Sequence, residues 1–328
     1  MHLLINSPAV ARSSRGVRRY AAGVLAHLQW PEGVNHIDAT RAGALGRLQE
    51  MLEPGGREAI LWTPCHRGSF RAHHHVVTVH DCISIEYTYR YDARLPVYLR
   101  MMDLLLRRAE TVVAISQATR AAVLRHFSVR PEQVVVIASG MDAITGVPTD
   151  SPAPSATPFV MLVTNTLPHK NTLAACRAWT RSRGPREGVE LRIIGSLPDD
   201  ALRVCHEAGV PMHMASGVDD ASLVAAYRQC RFLIAPSLSE GHDLPVAEAL
   251  SLGADVLCSD IDVHREYYEG QVAFFDPLRE DAIVDALDWA LDAPRPWFSR
   301  GSAPPPRRFE NVARDYESLF RSIETRHG

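Results

Sequence analysis

Two glutamates separated by eight positions frame the segment of this chain that is best suited to chemistry. Glu240 and Glu248 flank a Gly-His-Asp-Leu-Pro turn, and the proline predicts a helix that begins near Pro245. Glu248 would then lie about one turn inside the helix. Backbone N–H groups near Asp243 and Leu244, at the helix N-terminus, would face negative charge. The two carboxylates and these amides could together hold a sugar, a ribose and a diphosphate.

One lysine stands out among the basic residues. The 35 basic side chains are 34 arginines and a single lysine, Lys170. An ammonium is smaller and more strongly hydrated than a guanidinium, so a site shaped around a compact charge would resist replacement by arginine. The count therefore marks Lys170 as a candidate functional cation, with survival by chance as the alternative.

Short apolar runs predict the elements that must position these side chains. The runs are rich in β-branched residues and alternate with amphipathic stretches, which is typical of buried parallel strands joined by helices. Strands are predicted at 2–6, 58–62, 76–79, 111–115, 134–137, 159–163, 190–195, 231–236, 255–259 and 271–275. Amphipathic helices are predicted at 16–29, 95–108 and 309–326.

A proline-rich segment predicts the division into domains. Residues 147–158 hold four prolines among small residues, which is typical of a linker. We therefore expect a Rossmann-like domain over 1–148, a linker over 149–157, a second Rossmann-like domain over 158–308 and a final helix over 309–328. The predicted fold class is α/β, with two doubly wound domains facing across a cleft and ligands at the carboxyl ends of the strands.

Composition excludes several classes of protein. With 46% hydrophobic and 22% charged residues the chain should form globular domains, and a net charge of −3 gives no general attraction for nucleic acid. The six cysteines show no metal-like spacing, which indicates core thiols in a reducing compartment. The first residues lack the pattern of a signal peptide, and no run of 18 apolar residues predicts a membrane span. We expect a cytoplasmic protein.

Several ordered segments resemble the retaining glycosyltransferases of family four. SEGHDLPVAEAL is similar to that family's usual EGFGLPVLEAL, and the similarity extends over nearly the whole chain. The other similar segments are SRGVRRYAAGVL, VVTVHDCIS, RRAETVVAISQATRAAVLRHFSV, VVVIASGMD, FVMLVTNTLPHKN and DVHREYYEGQVAFFDP. The resemblance implies a GT-B fold, an N-terminal domain that binds the acceptor, a C-terminal domain that binds the donor, and a last helix that packs back on the first domain.

The resemblance also implies roles for individual residues. Lys170 matches the family's diphosphate-binding lysine, Glu248 would bind the ribose, and Glu240 and His80 would contact the sugar; Glu266 matches a further acidic position. The implied catalytic residues are His80, Glu240 and Lys170. The implied donor-binding residues are Gly16, Thr164, His169, Lys170, Glu240, Gly241, His242, Asp243, Leu244 and Glu248. The implied acceptor-binding residues are Ser116 and Thr119, and neither a metal nor a cofactor is expected.

This chain departs from the family pattern at the predicted donor site. His242 and Asp243 replace the usual Phe-Gly and bring a bulky group and a carboxylate beside the expected sugar and diphosphate. His169 replaces an arginine and Thr164 a glycine, which thins the cationic clamp on the diphosphate. These changes favour either a specialised enzyme or a protein that has lost catalysis and binds a nucleotide sugar as a sensor or scaffold.

Two motifs suggest metal sites, and we discount both. Asp260 and Asp262 form an Asp-x-Asp triplet like that of metal-dependent, single-domain GT-A transferases, but here it follows a strand of the second half. The adjacent histidines 73–75 would alternate between the faces of a strand and cannot all reach one ion. No dinucleotide-binding glycine motif and no nucleophile elbow accompany them.

The function predicted from sequence is glycosyl transfer. We expect a retaining, metal-independent hexosyltransferase that moves a sugar such as mannose from a nucleotide-diphosphate sugar to a glycan or lipid-linked acceptor. The expected setting is synthesis of a bacterial surface polysaccharide such as lipopolysaccharide. Peripheral contact with the inner face of the cell membrane is a further expectation, with solvated helix faces as the alternative. It rests on Arg15, Arg18, Arg19, Arg94, Arg100, Arg107 and Arg108.

Overall fold

A computed structural model describes most of the chain. The described residues are 1–31, 33–37, 56–66, 68–88, 95–142, 155, 157–298 and 307–327. They fall into two compact units: unit 1 is Met1–Asp142 with Arg307–Gly328, and unit 2 is Ala143–Pro306. Of the predicted linker only Ser155 and Thr157 are described, and Arg94 lies outside the described residues.

Unit 1 contains a parallel sheet of six strands. The strands are β1 (His2–Ile5), β2 (Val34–His36), β3 (Ala59–Thr63), β4 (His74–Val79), β5 (Thr111–Ala114) and β6 (Val134–Val136). Their order in the sheet is β2-β1-β3-β4-β5-β6. The helices between them are α1 (Ser7–Ala11), α2 (Arg15–His27), α3 (Leu95–Arg108) and α4 (Gln117–His126).

Unit 2 repeats this architecture with a second parallel sheet. Its strands are β7 (Phe159–Thr164), β8 (Glu190–Gly195), β9 (Met212–Ala215), β10 (Leu233–Ala235), β11 (Val256–Ser259) and β12 (Ala273–Phe275). Its helices are α5 (Thr172–Arg181), α6 (Asp199–Glu207), α7 (Asp220–Gln229), α8 (Leu244–Ser251), α9 (Asp262–Tyr268) and α10 (Glu280–Asp292). The order β12-β11-β10-β7-β8-β9 makes β11, β10 and β7 neighbours, so their carboxyl ends meet at one edge.

The strands of unit 2 are buried on both faces. Phe159 and Met161 of β7 pack into one apolar cluster, whereas Val160 and Leu162 pack into the other, around Trp179 of α5. Alternate side chains point to opposite faces of a strand, so a strand covered by helices on both sides must be apolar throughout. This explains why its sequence is a continuous hydrophobic run.

The last helix, α11 (Phe309–His327), belongs to unit 1. Its buried stripe is Phe309, Val312, Ala313, Tyr316, Phe320 and Ile323. The Tyr316 ring lies 4.6 Å from that of Trp62 between centroids, and its hydroxyl lies 2.7 Å from Thr78 Oγ1. A Cβ atom at Gly23 of α2 would lie 2.2 Å from the Phe309 ring, so the two helices approach this closely only over a glycine.

Two predictions from composition have direct structural counterparts. The six cysteines are buried thiols, which confirms the prediction of core cysteines. Within the described residues, no helix has both the length and the apolar character needed to cross a bilayer.

Candidate donor and acceptor residues

Lys170 and Glu240 form a buried ion pair at the strand ends of unit 2. Lys170 closes a single 3-10 turn after β7, and Glu240 lies in the loop between β10 and α8. The Leu238 amide donates to the His169 carbonyl at 2.7 Å and ties the two loops together. Lys170 Nζ donates to Glu240 Oε1 at 2.6 Å, with the side chains only 14% and 11% exposed. The lone lysine thus meets the first glutamate of the predicted motif.

Neighbouring carboxylates stabilise the positive charge on Lys170. Burial alone would lower the pKa of its ammonium, but the carboxylates of Glu240 and Asp243 outweigh burial and raise that pKa. Lys170 is therefore a cation throughout the physiological range, which is what contact with a phosphate requires.

Asp243 occupies the N-cap of α8 with a left-handed backbone, at φ 63°. Its carboxylate is buried and lies 3.0 Å from His264 Nε2. The Tyr268 hydroxyl donates to the carbonyls of His242 and Asp243, at 2.7 and 3.1 Å. These contacts fix the turn, so that Leu244 becomes the first residue of the helix. The extra carboxylate noted in the sequence is thus turned toward a histidine inside unit 2.

His264 carries the charge that balances Asp243. Both ring nitrogens face acceptors, because Nδ1 lies 2.8 Å from the Ser259 carbonyl and Nε2 faces the carboxylate. Only an imidazolium donates from both nitrogens. Burial alone would lower the pKa of His264, but hydrogen bonds to Asp243 and Cys258 raise it to about 10. Sequence reasoning missed His264, since its partner lies 21 positions away.

His242 and His169 are buried and neutral. Burial lowers the pKa of each imidazole to about 4. His242 packs against Tyr267, with 4.4 Å between ring centroids, and its Nδ1 atom has no hydrogen-bond partner among the described residues. A neutral His169 does not replace the positive charge of the arginine usual in the family.

Glu248 and Thr164 have partners that the sequence did not indicate. Glu248 is buried in the second turn of α8 and accepts a hydrogen bond from the Tyr227 hydroxyl at 3.1 Å. Thr164 ends β7, and its Oγ1 lies 2.6 Å from that of Thr172 at the start of α5. Gly241 is buried in the loop before α8. Thr164 and Gly241 lie at the strand-end edge of unit 2, and Glu248 lies one turn into the helix that begins there.

His80 follows β4 in unit 1. It is buried, its ring packs edge-on against Tyr20 at 4.7 Å between centroids, and its Nε2 lies 3.0 Å from the Pro64 carbonyl. A carbonyl only accepts, so Nε2 carries the proton. Burial lowers the pKa of His80 and keeps the ring neutral. Nδ1 therefore carries the lone pair and can accept a hydrogen bond.

Ser116 and Thr119 are buried at the start of α4. Ser116 is the N-cap and accepts from the Thr119 amide at 3.0 Å, while its hydroxyl donates to Thr119 Oγ1 at 2.8 Å. Thr119 Oγ1 in turn donates to the His80 carbonyl at 3.1 Å. This chain of hydrogen bonds fixes the backbone of His80 to the helix.

Gly16 lies in the first turn of α2. Ser14 is the N-cap, and its hydroxyl accepts from the Val17 amide at 3.4 Å. The Gly16 amide is one of the first helical N–H groups, which lack acceptors inside the helix. It is placed to donate to an anion at the helix N-terminus.

The remaining acidic residues of the sequence motifs lie on α9 or just before it. Asp260 makes a two-pronged ion pair with Arg265, at 2.6 Å from Nε and 2.7 Å from Nη2. Asp262 and Glu266 are exposed on α9. Of the two carboxylates of the Asp-x-Asp triplet, that of Asp260 is therefore already paired with an arginine.

Two parallel-sheet α/β units with candidate residues at the strand ends define the GT-B class. The structure of HepE from Anabaena in complex with UDP and glucose matches with a TM-score of 0.72, at 14% sequence identity, over 98% of this chain and 100% of that chain. At that identity the match shows the fold alone. The expectation of a GT-B fold is confirmed.

The sequence comparisons identify the family. Residues 96–261, half of the chain, match the description "Family 4 Glycosyltransferase in conflict systems", and the chain belongs to this family. It is 26% identical over 205 residues to the MMP alpha-(1->4)-mannosyltransferase of Mycolicibacterium hassiacum, covering 60% of this chain and 49% of that protein. It is 24% identical over 204 residues to the serotype-specific mannosyltransferase WbdA of Escherichia coli, covering 56% and 25%. The chain thus spans half or less of these relatives.

Proposed function

We propose that this protein is a retaining, metal-independent glycosyltransferase. It moves a hexose, with mannose as the first candidate, from a nucleotide-diphosphate sugar to a glycan or lipid-linked acceptor. The observation that carries the proposal is the buried pair of Lys170 and Glu240 beside the N-terminus of α8. Both related proteins are named as mannosyltransferases, which supports mannose.

The leaving diphosphate is the group that unit 2 is suited to stabilise. Lys170 supplies a fixed positive charge, and the amides at the start of α8 supply dipoles, so charge that develops on the leaving group meets preorganised partners. Glu240 accepts from Lys170 before the donor binds and contacts the sugar afterwards. Glu248, oriented by Tyr227, accepts from the ribose hydroxyls. The Nδ1 atom of His242 forms a hydrogen bond with the bound nucleotide-diphosphate sugar, either as donor or as acceptor.

The residues of unit 1 contribute to the sugar and acceptor. His80 accepts a hydrogen bond from a sugar hydroxyl at Nδ1, because its Nε2 proton is held by the Pro64 carbonyl. The Gly16 amide donates to a phosphate or sugar oxygen. Ser116 and Thr119 support acceptor binding indirectly. Their hydroxyls donate to Thr119 Oγ1 and to the His80 carbonyl, so they hold the backbone of His80 in place.

The first test uses the positive charge of Lys170. Lys170→Ala should abolish transfer and weaken binding of a nucleoside diphosphate, because the variant lacks the cation proposed to meet the diphosphate. Lys170→Arg should also be inactive, because a planar guanidinium does not fit a pocket occupied by an ammonium. Equal affinity of the wild type and Lys170→Ala for a nucleoside diphosphate, measured by calorimetry, would exclude contact with the diphosphate.

The nucleotide and the metal requirement need separate measurements. A thermal-shift screen with UDP, GDP, ADP and dTDP identifies the base, since a ligand at a hundred times its dissociation constant adds about 2.7 kcal/mol of stability. Transfer should survive EDTA at a temperature well below unfolding. Complete loss that magnesium or manganese restores would contradict metal independence and return attention to Asp260 and Asp262.

We further propose that α3 contacts an anionic membrane at the cytoplasmic face. Val97, Met101 and Leu104 lie three and four residues apart on one side of this helix and are 73%, 38% and 44% exposed. Arg100, Arg107 and Arg108 are exposed beside them. Apolar side chains flanked by arginine suit a headgroup layer. The protein should co-sediment with vesicles containing phosphatidylglycerol, and Leu104→Glu should weaken this binding. Absence of co-sedimentation of the wild type would contradict the proposal.

A second candidate function is binding without catalysis. It is favoured by Asp243, whose buried carboxylate stands at the helix N-terminus where the family usually has glycine. A protein of this kind would bind a nucleotide sugar and neither hydrolyse nor transfer it to any acceptor offered. The biological setting also has two candidates, surface polysaccharide synthesis and, from the family description, a conflict system. The acceptor that supports turnover would distinguish these settings.

A further inference from the structure

Three side chains with metal-binding groups meet at the amino end of the sheet in unit 1. His74 opens β4, Glu110 immediately precedes β5, and His327 ends α11. His74 Nδ1 lies 2.8 Å from Glu110 Oε2, and His327 Nε2 lies 2.9 Å from Glu110 Oε1. One candidate ligand atom from each residue lies within 4.8 Å of the others. This cluster is at the opposite end of β4 from His80.

Strand pairing brings His74 and Glu110 together, and helix packing separately brings His327 to them. Neighbouring parallel strands place His74 beside Glu110, where the Glu110 amide donates to the His75 carbonyl at 2.9 Å. The buried stripe of α11 sets the position of His327. His75 points to the other face, where its ring lies 3.0 Å from Thr63. Because alternate residues of a strand face opposite sides, His74 and His75 point apart. The partners of His74 are therefore residues distant in sequence.

We propose that His74, Glu110 and His327 bind one divalent transition-metal ion, with Zn²⁺ as the preferred occupant. Two imidazoles and a carboxylate form a ligand set that suits zinc and leaves a coordination position for water. Each histidine presents a lone pair to the ion once its ring proton resides on the other nitrogen. Side chains that are 13%, 12% and 42% exposed leave access for the ion.

The ion would act as a clamp on the C-terminal helix. Glu110 and His327 are 217 positions apart, so a shared ion would tie α11 to the sheet across most of the chain and would stabilise the folded state that binds it. Arg326 Nη2, 3.4 Å from Glu110 Oε1, is the cation facing the site and must turn toward solvent when the metal binds. The clamp is independent of the proposed transfer reaction, since none of its residues has a role there.

The test compares matched histidine variants of the full chain after removal of metal. His126 also lies 2.8 Å from a glutamate, Glu86, but with an arginine and no second histidine beside it, so His126→Gln is the control. Co²⁺ should bind the wild type and the control at one ion per chain, with visible absorption bands. His74→Gln and His327→Gln should bind at least about tenfold more weakly, since loss of outer contacts alone costs that much.

Zn²⁺ should also raise the unfolding temperature of the wild type and of the control. At a hundred times its dissociation constant the rise is about 5–10 °C for a unit of this size, and it should fall to about half or less in His327→Gln. His327 is the most exposed of the three, so this variant folds even if His74→Gln does not. Equal affinity in wild type and His327→Gln, or no one-to-one binding by the wild type, would overturn the proposal.

Discussion

At the scale of single residues, each buried cation of the candidate donor site already has a carboxylate. Lys170 is paired with Glu240, and His264 is paired with Asp243. Removal of one partner leaves an unpaired buried charge, which costs far more free energy than removal of both. The pairs therefore make the site sensitive to single substitutions in a way that the sequence motif does not reveal.

We predict that Lys170→Met lowers the free energy of unfolding by about 3 kcal/mol, because Glu240 would stay buried without its cation. Adding Glu240→Gln to this variant should restore most of the loss. Urea denaturation of the wild type, both single variants and the double variant measures the coupling. A double variant as unstable as Lys170→Met would show that the loss does not come from an unpaired charge on Glu240.

His264 should give the protein a stability component that is lost in alkali. Its pKa rises from 6.5 to about 10 on folding, so the contribution is complete below pH 6.5 and disappears as the pH approaches 10. The contribution is on the order of 4 kcal/mol. His264→Gln should remove the fall in unfolding free energy between pH 7 and 10. His213→Gln, an exposed histidine of β9, is the control and should keep the wild-type profile.

The sequence indicated some residues of the candidate site and missed the residues that orient them. Glu240 and Lys170 were indicated by spacing and by composition, and they do meet. Tyr227 and His264 were not indicated, although they contact Glu248 and Asp243. A single sequence carries no signal for such pairs, because packing of distant elements creates them.

At the scale of elements, the close packing of α2 against α11 requires a glycine at position 23. Gly23→Ala should destabilise unit 1 by about 1–3 kcal/mol, although alanine is the better helix former, because the new Cβ would overlap the Phe309 ring. Combining it with Phe309→Leu should cost less than the sum of the two single changes. Chemical denaturation provides the measurement, and strict additivity would contradict the close contact.

Hydrophobic runs predicted most strands because the sheets are covered on both faces. The predicted strand at 159–163 corresponds to β7, and the predicted helix at 95–108 coincides with α3. Sequence reasoning missed β2 and β9, which lie at sheet edges and are partly exposed, so they lack an apolar run. The run at 231–236 was too long, since β10 holds only Leu233–Ala235.

At the scale of the whole molecule, buried neutral histidines in both units predict sensitivity to acid. His75, His169 and His242 have pKa values lowered by burial to about 3, 4 and 4. Such groups stabilise the folded state above pH 6.5 and lose that contribution as the pH falls, because the unfolded chain binds the protons first. Between pH 6 and 5 the three should lower the unfolding free energy by on the order of 3 kcal/mol per pH unit.

Urea denaturation at pH 7, 6 and 5 measures this slope. His264 does not oppose it, since His264 is protonated in both states below pH 6. NMR titration should show at least two imidazoles that remain neutral at pH 5. A stability that is flat over this range would mean that these rings are protonated in the folded protein.

The order in which the chain is synthesised does not follow the order of its two units. Residues 143–306 form unit 2 and leave the ribosome before α11, which completes unit 1. At about 5–20 residues per second, roughly 13–60 s of synthesis separate Trp62 and Tyr20 from the aromatic rings of α11 that cover them. The unit that starts first is therefore the last to close, and the apolar surface that α11 covers stays exposed while unit 2 is made.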